Sequence, residues 1–204
     1  VALVLDGGAC AVGIESTILD LSSGKPLLLR PGHVTPAAIE AVCGVLPAAP
    51  TAAAPRASGT LEAHYAPLTP MRRVEPARLL ELLNAMRHSG RRCGVLGHSQ
   101  PPQSGMPHAW KMLPADPVGY AHDLYAALRE LDHAGVDLIV VEAIPETPEW
   151  QAVADRLRRA LAGAGALAKT SVFANKYSRG TPERRRQSSR ISTPGVRLSE
   201  DASL

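Results

Sequence analysis

Two hydroxyls and a guanidinium lie near the start of this sequence in settings that suit an anionic ligand. Ser16 and Thr17 follow a turn at Gly13 and open a strand-forming run. Either hydroxyl can donate into a cleft to phosphate oxygens or a carboxylate, or it can serve the strand itself. Arg30 ends the apolar run Leu27-Leu28-Leu29 and is followed by the turn pair Pro31-Gly32. A planar, permanently charged fork held there matches two phosphate oxygens and stabilises charge that develops as pyrophosphate departs. The alternative is an exposed arginine capping a strand end. His64 and Tyr65 stand in Ser58-Gly59-Thr60-Leu61-Glu62-Ala63-His64-Tyr65-Ala66-Pro67, a stretch rich in functional groups but without periodicity. They can fold over a ligand, with the Tyr65 ring and hydroxyl covering it, or pin the stretch to a neighbouring surface.

The elements that must carry these groups are legible from periodicity and punctuation. Short strands are expected at 1–5, 16–21 and 26–30, each bounded by Gly, Ser or Pro. Thr35 is placed to cap a short helix with Pro36 at its first position, and Gly44 ends it. Residues 45–59, with Pro47, Pro50 and Pro55 among alanines, read as a linker. From Met71 a second unit follows, with strands near 72–75, 93–96, 109–113 and 137–142 and helices near 76–88 and 117–134. Val118, Ala121, Leu124, Tyr125, Leu128 and Leu131 fall on one face of the second helix. The run 137–142 is apolar enough to be buried on both sides of a parallel sheet. In a last helix Trp150, Val153, Ala154, Leu157 and Leu161 form the inward stripe, with Asp155, Arg156, Arg158 and Arg159 largely outside it.

Bulk properties narrow the function. Hydrophobic residues at 45% are those of an ordinary globular protein, while 3% aromatics leave little ring surface for stacking single-stranded nucleic acid. The net charge of +3 is uneven: residues 169–204 hold eight Lys/Arg against three Asp/Glu, so the body is slightly negative and carries no footprint for a duplex. Cys10, Cys43 and Cys93 form no Cys-x-x-Cys pair and fit a reducing, cytoplasmic compartment. The seven histidines lack ligand spacing, so no metal site is expected from the residues, and no apolar run is long enough to span a membrane.

Taken in order, Gly13-Ile14-Glu15-Ser16-Thr17-Ile18-Leu19-Asp20-Leu21, Leu29-Arg30-Pro31-Gly32, and Ser58-Gly59 with His64-Tyr65-Ala66-Pro67 resemble the threonylcarbamoyl-AMP synthase family with its YrdC-like catalytic domain. The segment from Trp150 through Asp155-Arg156-Leu157-Arg158-Arg159-Ala160 is similar to that family's C-terminal helix. The resemblance covers residues 1 to about 165 and implies an α/β fold. Residues 1–45 would be the C-terminal part of a twisted YrdC-like domain, 46–70 a linker with a loop covering the active site, and 71–168 a small Rossmann-like parallel-sheet domain. Residues 169–204 read as a disordered basic tail.

The resemblance further implies condensation of L-threonine, bicarbonate and ATP to threonylcarbamoyl-AMP and pyrophosphate, with Mg²⁺ accompanying the nucleotide. Other proteins then pass the carbamoyl group to tRNA adenosine. Ser16 and Arg30 match positions contacting the nucleotide and its phosphates, Arg30 as the catalytic residue, with Thr17 beside them and His64-Tyr65 as the covering segment. The family's Lys/Arg pair and Ser-Ala-Asn segment have no match here, so this chain is expected to be an N-terminally truncated portion that does not catalyse the reaction alone. Direct tRNA contact stays open, since Arg184-Arg185-Arg186 suits either RNA or solvent. The competing reading is a non-catalytic YrdC-like module that binds nucleotide or RNA. A carbamoyl transferase sharing the domain is disfavoured because its zinc-finger cysteines have no counterpart.

Overall fold

The computed structural model describes residues 2–22, 24–103 and 105–165, so the tail at 169–204 lies outside the described residues. Two antiparallel strands come first, β1 (Ile18–Asp20) and β2 (Leu27–Arg30). Their register shifts between Ile18, which faces Arg30, and Leu19, which faces Leu28. A bulge of this kind re-aims the side chain beside it, here Arg30. Helix α1 (Pro36–Cys43) follows. The Thr35 hydroxyl accepts from the Ala38 N–H at 3.2 Å, and Gly44 takes the left-handed conformation at φ 72°.

The second sheet is α/β in the parallel manner. Strand β3 (Met71–Val74), helix α2 (Pro76–His88), β4 (Cys93–Gly97), β5 (Ala109–Met112), α3 (Pro117–His133), β6 (Leu138–Glu142), a 3₁₀ turn (Pro148–Trp150) and α4 (Gln151–Gly163) follow one another. The strands lie in the order β3-β6-β4-β5, all parallel. Period-two alternation sorts the side chains between two layers. Val95 and Val140 pack with Val74, Leu79, Leu83 and Met86 under α2. Leu96, Ile139 and Val141 pack with Leu124, Leu131, Val153 and Leu157 under α3 and α4. Both faces are covered, which is why β4 and β6 read as continuous apolar runs. Among the described residues no helix is long and apolar enough to cross a membrane.

Three expectations are corrected. No strand forms at 2–5: Leu3, Val4 and Leu5 are exposed, and no strand among the described residues pairs with them. Strand propensity needs a partner ladder and a covered face to act. Val118 is half exposed because it sits in the first turn of α3, ahead of the packed stripe. Most consequential, Arg156 and Arg159 are 3% and 7% exposed and do not face solvent. The stretch 45–59 has no regular element, yet Ala48 bridges to Leu27 and fastens it to β2.

Candidate functional site

Arg30 is the centre of a convergence made by three separated segments. Its Nε donates to the Ser16 carbonyl at 2.9 Å, Nη1 to the Ser58 carbonyl at 2.8 Å and Nη2 to the Ser16 hydroxyl at 3.3 Å. The guanidinium is thereby held at the start of β1 and against the loop 58–65, and only 7% of the residue is exposed. Five N–H groups on an arginine leave two for another acceptor. Gly59, at φ 71°, keeps one approach open, since a Cβ there would stand 3.0 Å from Arg30 Nη1 and 3.9 Å from His64 Cε1. The backbone on the opposite side is as close. A Cβ at Gly32 would meet Thr17 N at 2.3 Å and Glu15 O at 2.8 Å, so the turn after Arg30 admits no side chain without displacing 15–17.

Tyr65 lies further along the same loop. It is a non-glycine residue at positive φ, 51°, a conformation that costs about 1 kcal/mol or more and is retained only where neighbours impose it. Those neighbours are the His64 ring, edge-on at 3.8 Å, and the Tyr125 ring from α3 at 4.9 Å. Burial and the Glu15 charge push the Tyr65 hydroxyl up from its ordinary pKa, and the same causes push Tyr125 up further. A cavity of about 480 Å³ opens beside Tyr65, lined by Gly13, Glu15, Tyr65, Pro67, Tyr125 and Asp132 among others; Ser16, Arg30 and His64 are not part of its lining.

Glu15 is tied down from the second sheet's layer. Its carboxylate accepts from Arg156 Nε at 2.6 Å and from the Tyr125 hydroxyl at 3.3 Å, and its carbonyl accepts from Arg156 Nη2 at 3.1 Å. Arg156 Nη1 donates to the Pro31 carbonyl at 3.0 Å. Asp155 beside it accepts from Arg156, Arg158 and Arg159, each at 2.9 Å. Arg159 donates to the Leu61 carbonyl, and the His64 N–H reaches the Arg159 carbonyl at 3.4 Å. At Gly163 the helix backbone comes so close to the loop that a Cβ would lie 2.6 Å from that of Ala66.

These contacts outweigh burial in setting the carboxylates. Burial raises Glu15, but its own backbone N–H and Arg156 bring it below the ordinary 4.5. Burial likewise raises Asp155, and the arginines bring it below 3.8. Both are lower folded than unfolded, so the stability they add is in place above the ordinary carboxylate range and is lost as pH falls through their folded values. The unfolding temperature is expected to hold from neutrality to about pH 5 and to drop below about pH 4. Asp155→Asn should flatten part of that acid limb in a calorimetric pH series. An acid limb identical to wild type would count against the assignment.

Of the residues singled out in the sequence, Ser16 and Arg30 are in contact, and His64 and Tyr65 lie in the loop that Arg30 and Arg159 hold. Thr17 makes a different contact, its hydroxyl donating to the Val34 carbonyl at 2.8 Å, which fastens the start of β1 to the approach of α1. Among the described residues no group of three or more His, Cys, Asp or Glu is placed to hold a metal ion.

Residues 34–162 match the family described as threonylcarbamoyl-AMP synthase, C-terminal domain. The chain belongs to the threonylcarbamoyl-AMP synthase family. The threonylcarbamoyl-AMP synthase of Bacillus subtilis is 34% identical over 173 residues, 80% of this chain and 49% of the relative. That of Pyrococcus abyssi is 34% identical over 179 residues, covering 77% and 48%. A crystal structure of P. abyssi Sua5 complexed with L-threonine superposes with a TM-score of 0.66 at 30% identity, over 76% of this chain and 48% of that one. A P. abyssi Sua5 variant with a neighbouring His and Tyr both changed to Ala gives a TM-score of 0.60 at 29% identity, over 78% and 46%. The chain therefore spans about half the length of the threonylcarbamoyl-AMP synthases it matches.

Within this family member, Tyr125, Arg156 and Arg159 are the contributors that sequence reasoning left out of the site. Glu15 stood inside the quoted motif without a role. The available signal was Arg156 and Arg159 at helical spacing, on a helix whose apolar stripe is narrow for its length.

Proposed function

We propose that the protein carrying this chain is an L-threonylcarbamoyladenylate synthase, acting on L-threonine, bicarbonate and ATP and releasing pyrophosphate. The observation that carries the reading is the Arg30 guanidinium joined to Ser16 and to the loop 58–65, in a chain of this family. Threonine's amine forms an N–C bond to bicarbonate carbon as a C–O bond breaks and water leaves, and an oxygen of the resulting N-carboxylate attacks the α-phosphorus of ATP. The P–O bond to the β-phosphate breaks and its electron pair leaves with pyrophosphate. Arg30, with two N–H groups left over, and the Ser16 hydroxyl donate to the phosphate oxygens on which negative charge accumulates. His64 and Tyr65 close over the ligand and exclude water that would hydrolyse the mixed anhydride. They are the His-Tyr pair of this sequence, and the P. abyssi relative has been solved with such a pair replaced. Thr17 is assigned a supporting part at the binding site.

The finer assignments follow the same reading. Residues 1–45 belong to the catalytic domain, 46–70 to the linker and 71–168 to the Rossmann-like domain. The protein works in the cytoplasm and delivers its product to the proteins that modify tRNA. Mg²⁺ would come with the nucleotide. The described residues do not fit a resident metal, since Glu15 is engaged by Arg156 and no group of three or more His, Cys, Asp or Glu among them is placed to hold one. The chain by itself is not expected to turn over, because it spans about half of its relatives and the Lys/Arg pair and Ser-Ala-Asn segment find no match in it.

The test is pyrophosphate release that requires threonine, bicarbonate and ATP together, measured on the full-length protein beside the 204-residue chain. Threonine-dependent release by the former and none by the latter is expected. Nucleotide binding without release by the full-length protein would favour a regulatory module instead.

A further inference from the structure

The arginines of α4 reach every segment of the candidate site without themselves standing in it. Arg156 grips Glu15, the residue before Ser16, and Pro31, the residue after Arg30. Arg159, one turn further on, grips Leu61 and, through its own carbonyl, the His64 N–H. Asp155 accepts from both and fixes their forks. Arg156 has a side chain 2% exposed, and such a charge is held inside a protein only where its acceptors are complete. Three contacts to Glu15 and Pro31 and one to Asp155 occupy four of its five N–H groups.

Resting on the function just proposed, we propose that Arg156 is a positioning residue for the Ser16–Arg30 pair, and that α4 is the arm by which the parallel-sheet unit holds the covering loop over it. The parallel sheet is then part of the catalytic apparatus and not an appended module. Its α3 supplies Tyr125 against Tyr65 and Glu15, and its α4 supplies Arg156 and Arg159. Tyr65 keeps its left-handed backbone because both helices bear on it and its neighbours.

The test uses the full-length protein as wild type, Arg156→Met, Arg156→Lys and Arg159→Met, at a temperature well below each unfolding midpoint. Arg156→Met should raise the KM for ATP and lower kcat/KM by about tenfold to a hundredfold, the scale of a misplacement near 1 Å. Arg156→Lys, with one ammonium for several acceptors, should fall between it and wild type. The second readout is trypsin cleavage after Arg56, which is exposed at the base of the loop. Cleavage of the native protein should accelerate in Arg156→Met and in Arg159→Met.

A purely structural role predicts a lower unfolding midpoint with the KM for ATP and the cleavage rate unchanged, and that result overturns the proposal. Should wild type release no pyrophosphate, the function assigned above is wrong and cleavage alone decides: acceleration upholds the arm, wild-type resistance removes it. Should Arg156→Met not fold, Arg156→Lys and Arg159→Met decide by the same two readouts.

Discussion

Arg30→Met in the full-length protein is expected to lower threonine-dependent pyrophosphate release by about 10²-fold or more, the usual cost of removing one preorganised donor from developing negative charge. Methionine keeps most of the stem and its packing, so the loss isolates the fork. A second consequence follows from where the fork is anchored. The Ser16 and Ser58 carbonyls lose their charged donor, and because both residues are exposed water can take its place, so each lost bond costs about 1 kcal/mol. The unfolding midpoint should therefore fall together with the rate. Arg30→Lys separates the two effects, because it keeps the charge and one donor but not the fork. It should recover a part of the stability and little of the rate. Initial rates and circular dichroism at one temperature are sufficient, and a Met variant with the wild-type rate would remove Arg30 from the chemistry.

Asp155→Ala is expected to be strongly destabilising. It strips a carboxylate from two guanidinium groups that stay buried, Arg156 and Arg159. Breaking a buried pair from one side costs about 3–5 kcal/mol. Arg156 retains Glu15 and both retain main-chain acceptors, which places the expectation at the lower end of that range. Arg158, more than half exposed, contributes little by losing the same partner. Denaturant unfolding checks the magnitude. Asp155→Asn should recover part of it, since the amide oxygen still accepts, and a loss below about 1 kcal/mol would mean that the cluster behaves as a surface ion pair.

Much of the fold is local and could be read in advance. Pro76 and Pro117 open α2 and α3 where a first-turn proline belongs, and the valines of β6 have the composition of a strand covered on both sides. The meeting of Ser16 with Arg30 was legible as well, because two short strands separated by one turn have few ways to pair. The arm was not. Arginines at helical spacing outside an apolar stripe are ordinarily solvated, and nothing in the letters says that a surface 98 to 141 positions away will cover them. Three of their four distant contacts are to main-chain carbonyls, which every residue carries and no motif records. The run at 1–5 failed for the converse reason: its β-branched and aliphatic letters suit a strand, but the pairing that makes one is a property of neighbours.

Because α4 holds Glu15, Pro31, Leu61 and His64 largely through the peptide backbone, the loop residues other than Gly59, His64 and Tyr65 can change identity while the length of the loop cannot change. Adding or removing one amino acid between 58 and 64 would shift each carbonyl away from the guanidinium N–H that is aimed at it. The same change between 49 and 56, beyond the Ala48 bridge and before the Arg30 clasp on Ser58, would be absorbed as slack. Spacing, more than spelling, is what ties the two sheets into one machine.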